Sequence, residues 1–368
     1  MSTCPAAKES VLEQLVADCT ALAPRAAERV GGPVQLMEVC GTHTHAIARC
    51  GLRELLGEEV RLVSGPGCPV CVTTAGQIDL CLQIAEREDV ILATFGDMVR
   101  VPGTRGSLAE ARARGARVKV VYSPMECLPL ARENPDSFVV MVGVGFETTA
   151  PTTACLVREA GQADLDNLLL FATHKLVPPA LRALLAAGDG CLHGFICPGH
   201  VSVVIGSNAY REVAEAFHAP CVVAGFEPAD ILLAVRALLR QVADGAARVE
   251  NEYRRAVRPE GNRQAVEALY SVFEVCDTSW RGIGMIPASG LRLRDEWSRF
   301  DVVKRFHLTE PETKEHPACH CGEVLQGRLR PAECPAFAQA CTPTRPLGPC
   351  MVSSEGACAA QYRYRPAS

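Results

Sequence analysis

Apolar residues between 33 and 227 fall into short, nearly continuous runs at 34–40, 60–67, 90–96, 118–123, 138–146, 168–174, 194–200 and 221–227. Val, Ile, Leu and Phe dominate them, and alternation with polar residues is poor. That is the pattern of strands covered on both faces. Helical periodicity fills the gaps. Residues 73–88 open with a capping-box pattern, Thr74 to Gln77, and align Ile78, Cys81, Leu82 and Ala85 on one face. Residues 206–219 align Tyr210, Val213, Ala214 and Phe217 in the same way. Such alternation predicts an α/β fold of parallel sheets joined by right-handed crossovers. Two sheets are expected, dividing within 123–137, so that 33–125 and 126–235 form two Rossmann-like domains around a cleft. A Gly/Pro-rich elbow follows a strand in each half, "SGPGCPVC" and "CPGHVSVV", which hints at duplication.

Beyond residue 228 the pattern changes. Residues 229–257 read as one long helix or two, and 280–293 as strand and turn. From 307 onward Pro, Cys and Gly replace periodicity. Such a tail buries little apolar surface of its own and needs a metal or a docking face. With 1–32 and the rest of 236–368 it makes a third, helical and cysteine-rich domain.

Composition narrows the function. The chain has 368 residues, 48% hydrophobic and 21% charged, with a net charge of −5. No long basic run is present, so neither nucleic acid nor an anionic membrane is an expected partner. The N-terminus lacks a basic leader followed by an apolar core. The longest apolar run, 137–146, is half of the roughly 20 residues a membrane span needs. A cytoplasmic protein is expected. Its nineteen cysteines then stand in a reducing compartment, where a disulfide framework is not expected. Metal binding, catalysis or plain burial must account for them.

In open parallel sheets, ligands bind beyond the carboxyl ends of the strands. Cys40 ends the first strand, and Cys68 and Cys71 follow the second in a Cys-x-x-Cys loop. Both loops lead into helix N-termini, which favour thiolate over thiol. A strand-end cysteine is often only core. The Cys68–Cys71 pair, with His43 and His45, also has the makings of a zinc site, but a redox-active pair fits a motif that opens a helix after a strand better. His43 and His45, in the first turn after Cys40, are expected to stay neutral as bases or ligands, unless they mark only a solvated helix start. His174 and His200 also end strands; His193, His218 and His307 look ordinary. "GVGFETTAPTTA" resembles a phosphate loop but lacks both glycine-rich signatures, and a tight turn explains it equally.

Six cysteines lie between Cys319 and Cys358. Cys321, Cys334, Cys341 and Cys358 are separated by 12, 6 and 16 residues, unlike a zinc ribbon of paired knuckles. Four thiolates from a loop-rich segment suit a [4Fe–4S] cluster or a Cys4 zinc site, and spacing does not choose between them. A cluster beside a dithiol would be able to supply it with electrons.

The stretches "MEVCGTHTHAI", "GPGCPVC", "TFGDMVRVPG", "GFETTAPTTA", "PGHVSVVIG", "VVAGFEP", "VENEYRR" and "CGEVL…MVSSEGACAA", in this order across 34–364, resemble the HypD family of hydrogenase maturation proteins. The resemblance implies two α/β domains plus an iron–sulfur domain. It implies assembly of the Fe(CN)2CO group of [NiFe]-hydrogenase, in complex with the small chaperone HypC and with cyanide received from HypE–HypF. Cys40 would then bind the transient iron, Cys68 and Cys71 would be the exchangeable dithiol, and Cys321, Cys334, Cys341 and Cys358 would hold the [4Fe–4S] cluster. Cys319 and Cys350 fall outside that pattern, and Thr42 stands where some members have Gly. A monomer is expected in the free state. The alternatives are a stand-alone iron–sulfur-linked thiol–disulfide oxidoreductase and a zinc-stapled scaffold.

Overall fold

A computed structural model describes residues 5–188 and 191–365. The eight apolar runs all form strands: β1 (Val34–Glu38), β2 (Val60–Ser64), β3 (Val90–Thr94), β4 (Val118–Val120), β5 (Phe138–Gly143), β6 (Leu168–Ala172), β7 (Gly194–Pro198) and β8 (Cys221–Ala224). A short β9 (Val249–Asn251) lies within 229–257, so that segment is the helix Pro228–Asp244 followed by an edge strand, not a continuous helix. Gly245, in the left-handed region at φ 65°, ends the helix there. Residues 273–293 form an antiparallel hairpin, β10 (Phe273–Trp280) and β11 (Gly284–Leu293).

Two parallel sheets result, in the orders β2-β1-β7-β8-β9 and β4-β3-β5-β6. The expected division near residue 125 does not match them. β3 and β4 share a sheet with β5 and β6, while β7 returns to pair with β1, Met37 opposite Phe195. The chain therefore starts one sheet, builds the other entirely, and comes back. Both glycine–proline elbows follow strands of the same sheet, which removes the case for duplication. Local hydrophobicity marks where strands are; pairing depends on partners more than a hundred residues away.

Side chains alternate across each strand and sort into separate cores. Leu36, Ile196 and Val222 face outward with Cys19 and Ala23 of the helix Pro5–Val30 and Leu238 of the helix Pro228–Asp244. Val139, Met141 and Leu168 form the outer core of the second sheet. The inward residues of both sheets, among them Met37, Phe195, Val140 and Leu169, join one cluster. Cys321, Leu325, Met351, Val352 and Cys358 of the tail belong to it. The tail thus docks on the body, as its poor periodicity requires, and its last helix, Ala357–Tyr364, packs on the helix Gly41–Arg49. Among the described residues no helix is long and apolar enough to cross a membrane.

Candidate functional site

The carboxyl ends of β1 and β2 bring Cys40 and the Cys-x-x-Cys loop together. The Gly41 N–H donates to the Gly67 carbonyl at 3.1 Å. A Cβ on Gly67 would sit 2.2 Å from the Cys40 nitrogen, so only glycine lets the two loops touch. Cys40 is the N-cap of the helix Gly41–Arg49, with extended backbone and no side-chain cap hydrogen bond. The residue is 7% exposed. Burial pushes its thiol up to about 12, although the backbone N–H groups of His43 and Thr42 act the other way. Burial likewise holds the Cys71 thiol well above its ordinary value. The thiolate character expected from the helix starts is therefore outweighed by desolvation.

Glu38 lies beneath Cys40. Its Oε2 accepts the Cys40 N–H at 3.2 Å and its Oε1 accepts the Thr44 hydroxyl at 2.6 Å. Burial raises this carboxyl to about 7. His43 is fully buried, and its Nε2 donates to the Gly225 carbonyl at 2.8 Å. Nδ1 consequently keeps its lone pair, and it has no hydrogen-bond partner. Burial lowers His43 to about 4, and burial followed by Arg363 and Arg49 lowers half-buried His45. Burial therefore disfavours the imidazolium form of both rings. His200 is exposed on the same rim and stacks on Phe226 at 4.0 Å.

The Cys-x-x-Cys loop faces two ways. The Cys68 sulfur accepts the Cys71 N–H at 3.2 Å, and its thiol donates to the Ser353 hydroxyl at 3.3 Å. Cys71 points into the tail. Thiols at Cys71, Cys350, Cys321 and Cys319 follow one another within hydrogen-bonding reach. Around the far end, Cys319, Cys321, Cys334, Cys341, Cys350 and Cys358 line one cavity. Cys358 lies in electrostatic reach of Cys319, Cys341 and Cys334, and Cys341 of Cys319 and Cys334. Buried Arg281 stands beside Cys321 and Cys319; it pairs with Glu315 at 2.6 Å, while its Nη1 has no partner. Among the described residues no group of His, Cys, Asp or Glu is arranged to hold a single metal ion.

Other strand ends carry less. His174 is buried against Gly143, with Thr153 at 3.3 Å from Nε2. The "GVGFETT" loop is a tight turn in which buried Glu147 accepts the Val177 N–H at 3.0 Å. The tight turn accounts for the loop without a phosphate. Sequence reasoning overlooked Glu38, Asp97, Arg281 and Ser353, and left Cys319 and Cys350 without a role. Glu38, Asp97 and Ser353 lie inside quoted motifs, "MEVC", "TFGD" and "MVSSEG", and Arg281 lies in none.

Comparison with known proteins gives the family. A family model described as the hydrogenase formation hypA family, HypD, matches residues 14–365. The chain is 49% identical over 334 residues to the hydrogenase maturation factor HypD of Escherichia coli K12, covering 90% of each chain. It is 48% identical over 337 residues to HypD of Azotobacter vinelandii, covering 90% of this chain and 89% of the relative. To HypD of Rhodobacter capsulatus it is 45% identical over 355 residues, covering 95% and 94%. Matches of this length take in both sheets, the Cys40 rim and the cysteine-lined tail, and the chain belongs to the HypD family of hydrogenase maturation factors.

Proposed function

We propose that this maturation factor holds the iron of a nascent Fe(CN)2CO group at Cys40 and handles electrons through Cys68 and Cys71. The observation that carries the reading is the junction at Gly41 and Gly67, where the loop bearing Cys40 meets the dithiol loop in backbone contact. A soft thiolate suits low-valent iron, and metal binding drives off its proton. Glu38, titrating near neutrality, and the unpartnered Nδ1 of His43 are the proton acceptors on the same turn. A HypC-type chaperone as partner, cyanide delivery by HypE–HypF and a cytoplasmic setting belong to this proposal. Burial of Cys68 and Cys71, 4% and 0% exposed, slows exchange with any disulfide and so disfavours rapid turnover as a stand-alone oxidoreductase.

The tail fits a [4Fe–4S] cluster, which would supply one-electron chemistry. Cys334, Cys341 and Cys358, which line one cavity, are taken as three of its ligands. As the fourth ligand we take Cys319, in electrostatic reach of both Cys341 and Cys358, although Cys321 lines the same cavity. The unpartnered Arg281 Nη1 would complement an anionic group there. Cys321 and Cys350 then join the line of thiols leading to Cys71, along which disulfide bonds can exchange. Anaerobic purification with a candidate small partner tests the whole. Cyanide and CO infrared bands with a brown, sulfide-containing protein are expected. A colourless, zinc-loaded protein without those bands would overturn the reading.

A further inference from the structure

The proposed dithiol function leaves one requirement open: a proton must leave Cys68, which is 4% exposed, before its sulfur can attack. Its thiol donates to Ser353 Oγ at 3.3 Å, and Ser353 Oγ donates to Asp97 Oδ2 at 3.1 Å. The direction is set by valence. Asp97 as a carboxylate only accepts, so the Ser353 proton must point toward it. The serine lone pairs then face the Cys68 thiol and the Glu355 N–H, the latter at 3.1 Å. Asp97 is itself held by the Ser354 N–H at 2.7 Å and the Ser354 hydroxyl at 2.8 Å, and it is partly exposed.

We infer that Cys68, Ser353 and Asp97 form a proton relay that carries the Cys68 proton from the buried dithiol to the protein surface. The inference rests on the dithiol reading of Cys68 and Cys71. As Cys68 gives its proton to Ser353 Oγ, Ser353 gives its own to the Asp97 carboxylate. The new thiolate then accepts from both the Ser353 hydroxyl and the Cys71 N–H. No electron moves in this step. The groups facing the relay are Cys71 beside Cys68, and Glu355 beside Asp97. Arg100, on the Asp97 turn, donates to the Val352 carbonyl at 3.5 Å. Ser353 belongs to the tail and Asp97 follows β3, so the relay exists only where the tail docks.

The test is the pH–rate profile for oxidation of the full-length, cluster-loaded protein by glutathione disulfide under argon. Cys68 thiolate attacks one glutathione sulfur and releases the other glutathione as thiolate. Cys71 then displaces the bound glutathione, leaving the protein disulfide and two reduced glutathiones, so two electrons pass to the peptide. Peptide mapping identifies the Cys68–Cys71 bond. Ser353→Ala and Asp97→Asn should each slow the reaction about tenfold at pH 7 and move its midpoint up by about one pH unit. The limiting rate at high pH should be unchanged, because hydroxide then removes the proton directly. Ser353→Thr retains the hydroxyl and should keep the wild-type profile. A merely structural contact would lower the rate equally at every pH, or lower the melting temperature, without moving the midpoint, and either result overturns the relay. If wild type forms no Cys68–Cys71 disulfide at any pH, the dithiol reading fails and the relay with it. If wild type forms it and both variants match wild type, the relay alone fails.

Discussion

Replacing Cys40 by Ser separates holding iron from holding the fold. The thiol is almost fully buried, so exchanging sulfur for a hydroxyl forfeits apolar burial of about 1 kcal/mol. The site offers a compensation. Cys40 is an N-cap with φ −157° and ψ 125° and no side-chain cap hydrogen bond, while the N–H groups of Thr42 and His43 face its sulfur. Serine is among the preferred residues at that position, and its cap is worth about 0.5–2 kcal/mol. The two terms cancel to within about 1 kcal/mol, which in a chain of this size moves the melting temperature by no more than about 4 °C. Iron binding has no such compensation, because a hard hydroxyl with a far higher pKa replaces a soft thiolate. Cys40→Ser should therefore fold, keep the colour of a cluster held by its own distant thiols, and lose the cyanide and CO bands of the co-purified complex. Melting temperature and infrared spectrum are read on one sample. Bands at full strength would remove Cys40 from the mechanism; a large loss of stability would show that the cap argument is wrong.

Three further outcomes are expected. Gly67→Ala forces a Cβ to within 2.2 Å of backbone atoms of Val39 and Cys40, so the loops must part and the Gly41–Gly67 hydrogen bond breaks; denaturant titration should show a loss of about 2–4 kcal/mol, and an unchanged midpoint would contradict the close approach. Cys319→Ala should lower iron and sulfide content while Cys321→Ala leaves both near wild type; the reverse result restores Cys321 as the fourth ligand. Glu147 and Glu38 are both raised by burial from 4.5 to about 7. The unfolded chain ionises first as pH rises, so each group's stability contribution is full below pH 4.5 and is lost up to about pH 7, a fall on the order of 3 kcal/mol apiece. Glu147→Gln keeps the acceptor for Val177 and should remove about half of that fall; a slope equal to wild type in urea melts at pH 4.5 to 7.5 would refute the assigned burial.

The chain's own pattern determined the eight strands, the capping box at Thr74 and Gln77, and the placement of Cys40, Cys68 and Cys71 at strand ends. These are local properties, written in runs of apolar residues and in punctuation by Gly and Pro. The tail's need for a docking face was legible in the same way, from what it lacks. Sheet membership was not, because β7 pairs with β1 across a complete second sheet and nothing local distinguishes it from a strand that pairs with β6. The protonation state of the thiols was misjudged for a related reason. Helix starts can be read from sequence, but desolvation depends on what packs above, and here it wins at Cys40 and Cys71. Cys319 and Cys350 show the same limit: spacing left them without a role, whereas the structure places both among the six cysteines that line one cavity. Only the tertiary structure brought Ser353 and Asp97, 256 residues apart, to the Cys68 sulfur, because a hydrogen-bond chain across docked segments leaves no periodicity in either.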